Sequence, residues 1–275
     1  RASNNDKIAK YVNSPETPIY YKSSVLYGLH QSKQYIREEN SVIVVEGYFD
    51  YLQLFQSGLN NIVAISGTAF TDKHAQLLRR YTKNIYLAYD GDKAGVSAAI
   101  KAGYILLKHG ANPKILNIPK GIDPDDWVKD KGPEPFRKSL EKSSGVIDFH
   151  INNSKFDLNT DSGKFNLIEE SLEKLSQIND PVYRELQIKS LSNLTSVSEN
   201  SIYQKLNNLL ESKNKYKKTT TKNIEYKQTT AGLLEEELLR LCFMKDLKIR
   251  TFIFKNLDKD WLSSNSLKEL YDLIY

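Results

Sequence analysis

Between residues 41 and 118, short apolar runs alternate with longer segments of helical periodicity. Four runs have the length and composition of β-strands, at residues 42–45, 62–65, 85–89 and 114–118. Helix-like segments at 48–56, 72–81 and 94–109 fill the gaps between them. Strands that alternate with helices form a parallel sheet, and uniformly apolar strands are typical of a sheet covered on both faces. We therefore predict an α/β region with a βαβαβαβ core.

The rest of the chain divides by composition. From residue 133 onward apolar residues recur at helical spacing, and we predict an all-α subdomain over 131–212. Residues 213–230 are rich in Lys and Thr and nearly free of large aliphatic residues, which predicts a linker. Residues 231–275 are amphipathic and Leu-rich but short for an independent core, so we expect part of a larger helical domain.

Composition excludes several classes of protein. No apolar run approaches the roughly 18 residues of a membrane span, and the N-terminus has no signal-peptide pattern. A single cysteine, Cys242, excludes an internal disulfide and a structural zinc site. The net charge of +5 permits a polyanionic partner without demonstrating one. We expect a monomeric cytoplasmic protein, and the missing initial Met suggests a fragment.

Carboxylates follow three of the four predicted strands. Glu46 follows the first strand, Asp90 and Asp92 follow the third, and Asp123 and Asp125 follow the fourth. The carboxyl ends of parallel strands meet at one edge of a sheet, so we expect these side chains to converge. Gathered carboxylates repel one another unless a cation lies between them, and such oxygen ligands suit Mg²⁺ or Mn²⁺. The pattern predicts a divalent-metal site with these five acids as ligands.

Nearby residues are expected to support this site. Gly47 and Gly91 remove side-chain bulk beside the acids. Asp50, about one helical turn past the first acid, is expected to orient the ligands. The N–H groups of Gly67 and Thr68, after the second strand, are expected to hold phosphate oxygens.

Each acid taken alone has an ordinary explanation. A lone Glu after a strand is usually a solvated loop residue, and an Asp-Gly-Asp sequence is usually a turn. Convergence from separate elements is what favours a functional site. For Asp126 we prefer the ordinary role, a cap for the short helix that carries Trp127. His74 is expected to be a helix residue that orients the Gly67–Thr68 loop.

Longer motifs surround these acids. They are Glu46-Gly-Tyr-Phe-Asp50, Ser66-Gly-Thr-Ala69, Tyr89-Asp-Gly-Asp-Lys-Ala-Gly95 and Asp123-Pro-Asp125, preceded by Lys10-Tyr-Val-Asn-Ser-Pro-Glu16. Together they resemble the TOPRIM core of the bacterial DNA primase family, from residue 1 to about residue 130. The first Glu and the Asp-x-Asp pair alone are shared with topoisomerases and several nucleases. The resemblance implies a TOPRIM-type parallel sheet with flanking helices over 41–130, followed by the all-α subdomain.

The resemblance also implies an activity. Members of the family are nucleotidyltransferases, DNA-directed RNA polymerases that make short RNA primers on single-stranded DNA at the replication fork. Glu46, Asp50, Asp90 and Asp92 would be the catalytic residues, and ribonucleoside triphosphates the substrates. Mg²⁺ or Mn²⁺ would be the cofactor, whereas the zinc site of the full-length family is not in this chain.

Family position assigns roles to the two ends of the chain. Residues 1–40 would be the remnant of an N-terminal polymerase subdomain with a basic groove. Nucleic-acid or nucleotide contacts there would come from Arg1, Lys10, Tyr11, Asn13 and Lys22. Solvated charge and a packed tyrosine explain these residues equally well. Residues 231–275 would be part of a domain that binds the replicative helicase within the primosome.

Two other classes of function remain open. One is a TOPRIM nuclease or topoisomerase, although a topoisomerase needs a nucleophilic tyrosine and none of the 17 tyrosines stands out as one. The other is a non-catalytic docking module whose acids hold metal only to bind partners.

Overall fold

The computed structural model describes residues 15–17, 20–65, 67–222, 230–241, 247–262 and 265–274. The chain forms two compact units, Arg1–Leu210 and Glu211–Tyr275. Their boundary falls close to the predicted start of the linker at residue 213. The α/β region and the helices that follow it belong to the first unit.

The α/β region has the predicted order of elements. They are α1 (Leu29–Glu38), β1 (Val42–Val45), α2 (Tyr48–Gln56), β2 (Ile62–Ala64), α3 (Asp72–Leu78), β3 (Asn84–Leu87), α4 (Lys93–Lys108) and β4 (Asn112–Ile115). The strands lie in the order β2-β1-β3-β4, all parallel. This order places β1 and β3 next to each other, so the residues that follow these two strands are neighbours.

Both faces of the sheet are covered, as the apolar strands predict. Val42 and Val44 point to one face and Ile43 and Val45 to the other, and all four have no exposed surface. The first face packs in a cluster with residues of α3, α4 and the later helices. The second face packs with residues of α2, α5 and α6, including the fully buried Phe136. The sheet is therefore the middle layer of the first unit.

The remaining elements of the first unit are mainly helical. They are α5 (Pro124–Lys131), α6 (Pro133–Glu141), β5 (Ser144–Gly145), α7 (Val146–Asn152), α8 (Asp161–Leu175), α9 (Pro181–Thr195) and the first part of α10 (Glu199–Lys222). The expectation of no strand after residue 133 is wrong for β5, which pairs antiparallel with β4. A two-residue strand has no detectable periodicity, so pairing with an existing sheet edge decides it.

Helix starts in this subdomain agree with the capping residues in the sequence. The Thr160 hydroxyl accepts a hydrogen bond from the Gly163 N–H at the start of α8. Asp180 caps α9 directly before Pro181, and Ser198 accepts from the Ser201 N–H at the start of α10. These caps are local, which is why the sequence alone indicates them.

The predicted linker 213–230 is wrong in its first part. Helix α10 continues to Lys222, because lysine is a good helix former and a helix under way is extended one residue at a time. Residues 223–229 lie outside the described residues. The second unit contains α11 (Thr230–Leu241), α12 (Leu247–Asn256) and α13 (Asn265–Ile274). Among the described residues, every helix falls short of the length and apolar character that a membrane span requires.

His74 fastens an N-terminal segment to α3. Its side chain is completely buried, and its Nδ1 accepts a hydrogen bond from the Thr71 N–H at 3.3 Å. Its Nε2 lies 3.0 Å from the carbonyl oxygen of Lys22, so the imidazole is neutral with its proton on Nε2. Thr71 Oγ1 donates to the Ser23 carbonyl at 2.5 Å. The expected role of His74 in the Gly67–Thr68 loop is therefore wrong, because its partner is the short helix Lys22–Ser24.

This buried imidazole predicts a pH dependence of stability. Burial lowers the pKa of His74 below its ordinary value. Between the two pKa values only the unfolded chain is protonated, so this contribution to stability is full above about pH 6.5 and is lost as the pH falls. In His74→Gln, which keeps an acceptor for the Thr71 N–H, we expect the loss of unfolding free energy between pH 7 and pH 5 to be smaller by about 1 kcal/mol. Urea unfolding at the two pH values measures this, and equal losses in both proteins would contradict it.

Candidate active site

Glu46 and Asp90 lie side by side because β1 and β3 are adjacent. Val44 pairs with Leu87, and the Ala88 N–H extends the ladder by donating to the Val44 carbonyl at 2.9 Å. The backbone N–H of Asp90 then donates to the Glu46 carboxylate, which also lies in the field of Asp92 and Asp123. Acids that are 44 or more residues apart in the sequence thus share one rim of the sheet.

The loop after β4 is held against Gly91. The Gly91 N–H donates to the Ile122 carbonyl at 3.0 Å, and the Gly121 N–H donates to the Gly91 carbonyl at 3.2 Å. A Cβ at Gly91 would lie 2.1 Å from the carbonyl oxygen of Pro119. Gly91 therefore does clear space, but for the backbone of this loop, which carries the next group of acids to the rim.

Three acids gather at the start of α5. One carboxylate oxygen from each of Asp123, Asp125 and Asp126 lies within 4.8 Å of the other two. The predicted cap role of Asp126 is wrong, because α5 begins at Pro124 and Asp126 lies within its first turn. Asp126 is a candidate ligand that the sequence argument missed. The signal was present, since acids at adjacent positions of a first helical turn project toward the same helix end.

Asp50 joins the start of α2 to the start of α5. Its Oδ2 accepts from the Gly47 N–H at 3.0 Å, and its Oδ1 accepts from the Asp125 N–H at 3.3 Å. The side chain is 7% exposed. A Cβ at Gly47 would lie 2.9 Å from Oδ2, so the glycine makes room for Asp50. The geometry suits a residue that positions the acid-bearing loops.

The acids at this rim are costly to charge together. Burial, and next the charge of Glu46, raise the pKa of Asp90 to about 7. Burial also raises the pKa of Asp50 to about 7, against the lowering effect of the Gly47 N–H. Burial raises the pKa of Glu46 as well, and the charges of Asp92 and Asp123 add to it. A cation among these groups would relieve each of these effects.

One atom of the cluster marks where a cation fits. Glu46 Oε1 is buried and has no hydrogen-bond partner among the described residues. A buried carboxylate oxygen without a partner is unfavourable unless it binds an ion or an ordered water. An all-oxygen donor set of this kind fits a divalent cation such as Mg²⁺ or Mn²⁺.

Asp92 has a second task. It is the N-cap of α4, and its Oδ1 accepts from the Gly95 N–H at 2.7 Å. The ligand role predicted for Asp92 therefore falls to Oδ2. The cap fixes the carboxylate at the rim, where a mobile side chain would have to be ordered on binding metal.

The predicted nucleotide contacts fare less well. The Gly67 N–H donates to the Glu46 carbonyl at 3.3 Å, so its predicted role as a phosphate donor is wrong. The Thr68 hydroxyl donates to the Ile65 carbonyl at 3.0 Å. Lys22 lies in the helix that His74 fastens. The other four predicted contacts lie outside the described residues; they are Arg1, Lys10, Tyr11 and Asn13.

Tyr89 is a neighbour of the acids that the sequence did not single out. Its hydroxyl is buried with no hydrogen-bond partner among the described residues. Burial, with the charge of Glu46 added, raises the pKa of this hydroxyl far above its ordinary value. Tyr89 therefore remains neutral beside the cluster. Nothing in the sequence distinguishes it from an ordinary core tyrosine.

Three family models match successive parts of the chain. The N-terminal domain of the DNA primase catalytic core matches residues 1–33, a Toprim-like domain matches 43–128, and the DnaB-helicase binding domain of primase matches 148–200. A DNA primase of Clostridium acetobutylicum is 34% identical over 275 residues, which is 98% of this chain. The chain belongs to the bacterial DNA primase family.

Other primases agree with this assignment. A DNA primase of Aquifex aeolicus is 40% identical over 160 residues, covering 58% of this chain and 32% of the relative. A DNA primase domain from Pseudomonas aeruginosa has a TM-score of 0.65 at 34% identity, covering 73% of this chain and 64% of that one. The catalytic core of the E. coli primase has a TM-score of 0.62 at 36% identity, covering 70% of this chain and 64% of that one. The Clostridium relative is longer, since this chain spans 46% of its length.

The match to a helicase-binding domain lies elsewhere than predicted. It covers α7 to the start of α10, at residues 148–200, whereas the sequence argument placed helicase binding at 231–275. The match does not extend to residues 231–275, for which a helicase-binding role stays a prediction.

The cluster predicts a response to metal. Saturating Mn²⁺ or Mg²⁺ should raise the melting temperature of the wild-type chain, because an ion that binds only the folded state stabilises it. In Glu46→Gln the rise should fall to less than half. Glu141→Gln, an identical change at an exposed position of α6, should respond like the wild type. Differential scanning calorimetry with and without metal checks this, and an equal rise in both variants would remove Glu46 from the site.

Proposed function

We propose that this chain carries the catalytic centre of a primase, which joins ribonucleotides on a single-stranded DNA template with a divalent metal ion. One observation carries the proposal: acids from three strand ends converge in a chain of the primase family, around a buried Glu46 oxygen that has no partner among the described residues. The metal is Mg²⁺ or Mn²⁺, in keeping with the oxygen donors.

The acids have distinct roles in this proposal. Glu46, Asp90 and Asp92 hold metal at the sheet rim, and Asp123 and Asp125 complete the ligand set from the start of α5. A bound divalent ion neutralises the triphosphate and lowers the pKa of the attacking 3′-hydroxyl. Phosphoryl transfer of this type depends on positioning and charge, so the chain supplies no general base.

Two residues act on the ligands from outside. Asp126 adds a third carboxylate at the start of α5, close enough to join the ligand set. Asp50 is a positioning residue, because its two oxygens bind the Gly47 and Asp125 N–H groups rather than facing an open site.

The proposed partners follow from relatives. A primase catalytic domain whose structure is described as bound to single-stranded DNA has a TM-score of 0.60 and 37% identity to this chain. We propose single-stranded DNA as the template and ribonucleoside triphosphates as substrates. We also propose a replicative helicase as a partner, through the segment that matches the helicase-binding model at 148–200.

The two rival functions are less well supported. Nucleases and topoisomerases share the Glu and Asp-x-Asp pattern, but the matches on both sides of the Toprim-like region are to primase domains. A docking module has no need of carboxylates crowded enough to raise the pKa of Asp50 and Asp90 to about 7.

The deciding experiment measures synthesis directly. The chain is extended to the length of its relatives and given labelled ribonucleotides, a single-stranded DNA template and Mg²⁺ or Mn²⁺. We expect short RNA products that require the metal and the template. Cleavage of the template without synthesis would support the nuclease function, and metal binding without either reaction would support the docking module.

A further inference from the structure

A cavity of about 740 Å³ opens beside the Asp90–Asp92 turn and extends away from the metal rim. Its walls come from the first half of α4, the loop after β4, α7 and α8. Glu46, Asp50 and the acids of α5 do not line it. The cavity is thus a separate compartment that shares only Asp90 and Asp92 with the metal rim. Its volume lies within the range of sites that hold one small-molecule ligand.

Lysines dominate the charge of this cavity. Its lining includes Lys93, Lys101, Lys120, Lys155 and Lys174. Of these, only Lys174 takes part in an ion pair between described residues, with Glu170. The other four lysines face one cavity without a carboxylate at ion-pair distance among the described residues. Their mutual repulsion is relieved by a ligand with several negative charges.

The wall at α8 is already ordered. Tyr104 Oη lies 2.9 Å from His150 Nδ1, and His150 Nε2 lies 3.4 Å from Glu170 Oε1, which also accepts from Lys174. His150 is 5% exposed. The Glu170 charge is therefore satisfied within the wall and does not oppose an incoming anion. A prearranged wall reduces the entropy lost on binding.

Part of the lining is apolar. Val96 and Ile100 of α4 and Phe149 of α7 line the same cavity as the lysines. Phosphate groups alone would leave this apolar surface in contact with water. A ligand that combines a phosphate chain with a planar, largely apolar group matches both kinds of wall.

We propose that this cavity binds a nucleoside triphosphate, with the phosphates on Lys101 and Lys155 and the base against Ile100 and Phe149. The lysines supply the charge, so this binding needs no metal ion. A single nucleotide fits the cavity volume, whereas a strand of several nucleotides needs an open groove. The site does not depend on the proposed polymerisation, although its mouth beside Asp90 would place a second nucleotide near the metal rim.

The test is nucleotide binding without metal. Labelled ATP is titrated into the chain in EDTA, by equilibrium dialysis. We expect saturable binding at one site, which the double change Lys101→Glu and Lys155→Glu weakens by about tenfold or more, because two attractive charges become repulsive. Lys138→Glu, at an exposed position of α6 outside the cavity, controls for the charge change and should bind ATP as the wild type does. Circular dichroism confirms that each variant is folded.

Further arms separate this proposal from its competitors. In Asp90→Ala, ATP binding in EDTA should persist even if primer synthesis is lost, so the two proposals can fail independently. Absence of saturable ATP binding in EDTA, or equal affinity in the lysine variants, would overturn the site. A single-stranded oligonucleotide that displaces ATP at a lower nucleotide concentration than unlabelled ATP does would also overturn it, in favour of a strand-binding track.

Discussion

Asp90→Ala is expected to abolish ribonucleotide incorporation and, without metal, to make the chain more stable. Burial and the neighbouring acids raise the pKa of Asp90 to about 7. A raised pKa in the folded state means that the charged form destabilises the fold, fully above about pH 7 and not at all below the unfolded value of about 4. After allowance for partial solvent exposure, the gain at pH 8 should be about 1–2 kcal/mol, shrinking toward pH 5. Loss of activity with a gain in stability is the signature of a ligand rather than a structural residue.

A matched variant separates the two effects. Asp130→Ala removes an exposed acid of α5 that lies outside the cluster. It should keep both the synthesis and the stability of the wild type within about 0.5 kcal/mol. The readouts are labelled primer yield and urea unfolding at pH 8 and pH 5. Primer synthesis retained in Asp90→Ala would mean that metal held at this rim does not catalyse the reaction.

The sheet and its acidic rim were predictable because their causes are local and periodic. The run at 42–45 is apolar at every position, which indicates a strand buried on both faces before any contact is known. Once β1 and β3 are parallel neighbours, Glu46 and Asp90 have to emerge at the same edge. Capping is equally local, which explains why Asp180 and Ser198 correctly marked helix starts.

Hydrogen-bond partners distant in the sequence were not predictable. The Gly67 N–H has no mark in the sequence that pairs it with the Glu46 carbonyl. His74 binds the carbonyl of Lys22, 52 residues away, because of how an N-terminal segment folds over α3. Backbone groups are chemically alike, so their partners follow from tertiary packing and not from residue type.

The lysine-lined cavity is a second case of this kind. Lys101 lies on α4 and Lys155 follows α7, and each by itself looks like an ordinary solvated lysine. Only the packing of α7 and α8 beside α4 brings them to one cavity. The position of Asp126 differs, since its neighbours Asp123 and Asp125 are local, and the preference for a cap hid a signal that was present.

Gly91→Ala is expected to damage both the stability and the metal site. The new Cβ would lie 2.1 Å from the Pro119 carbonyl oxygen and 2.9 Å from its carbonyl carbon. Both are backbone atoms that cannot rotate away, so the loop after β4 has to move. That movement breaks the hydrogen bonds of Gly91 with Ile122 and Gly121, which hold the start of α5 at the rim. Overpacking of this kind costs about 1–3 kcal/mol of unfolding free energy.

The loss of metal affinity should exceed what instability alone explains. Displacing the groups that orient metal ligands typically lowers affinity by about 10- to 100-fold, and we expect Mn²⁺ affinity in Gly91→Ala to fall within this range. Gly132→Ala is the control, because Gly132 has a positive φ of 76° but no heavy atom within 4 Å of the position that an added Cβ would take. It should cost about 1 kcal/mol through backbone strain and leave Mn²⁺ affinity unchanged. Electron paramagnetic resonance of free Mn²⁺ gives the affinities. If both variants bind Mn²⁺ like the wild type, the Gly91 contact does not position the acids, and the ions are held by Glu46, Asp90 and Asp92 without α5.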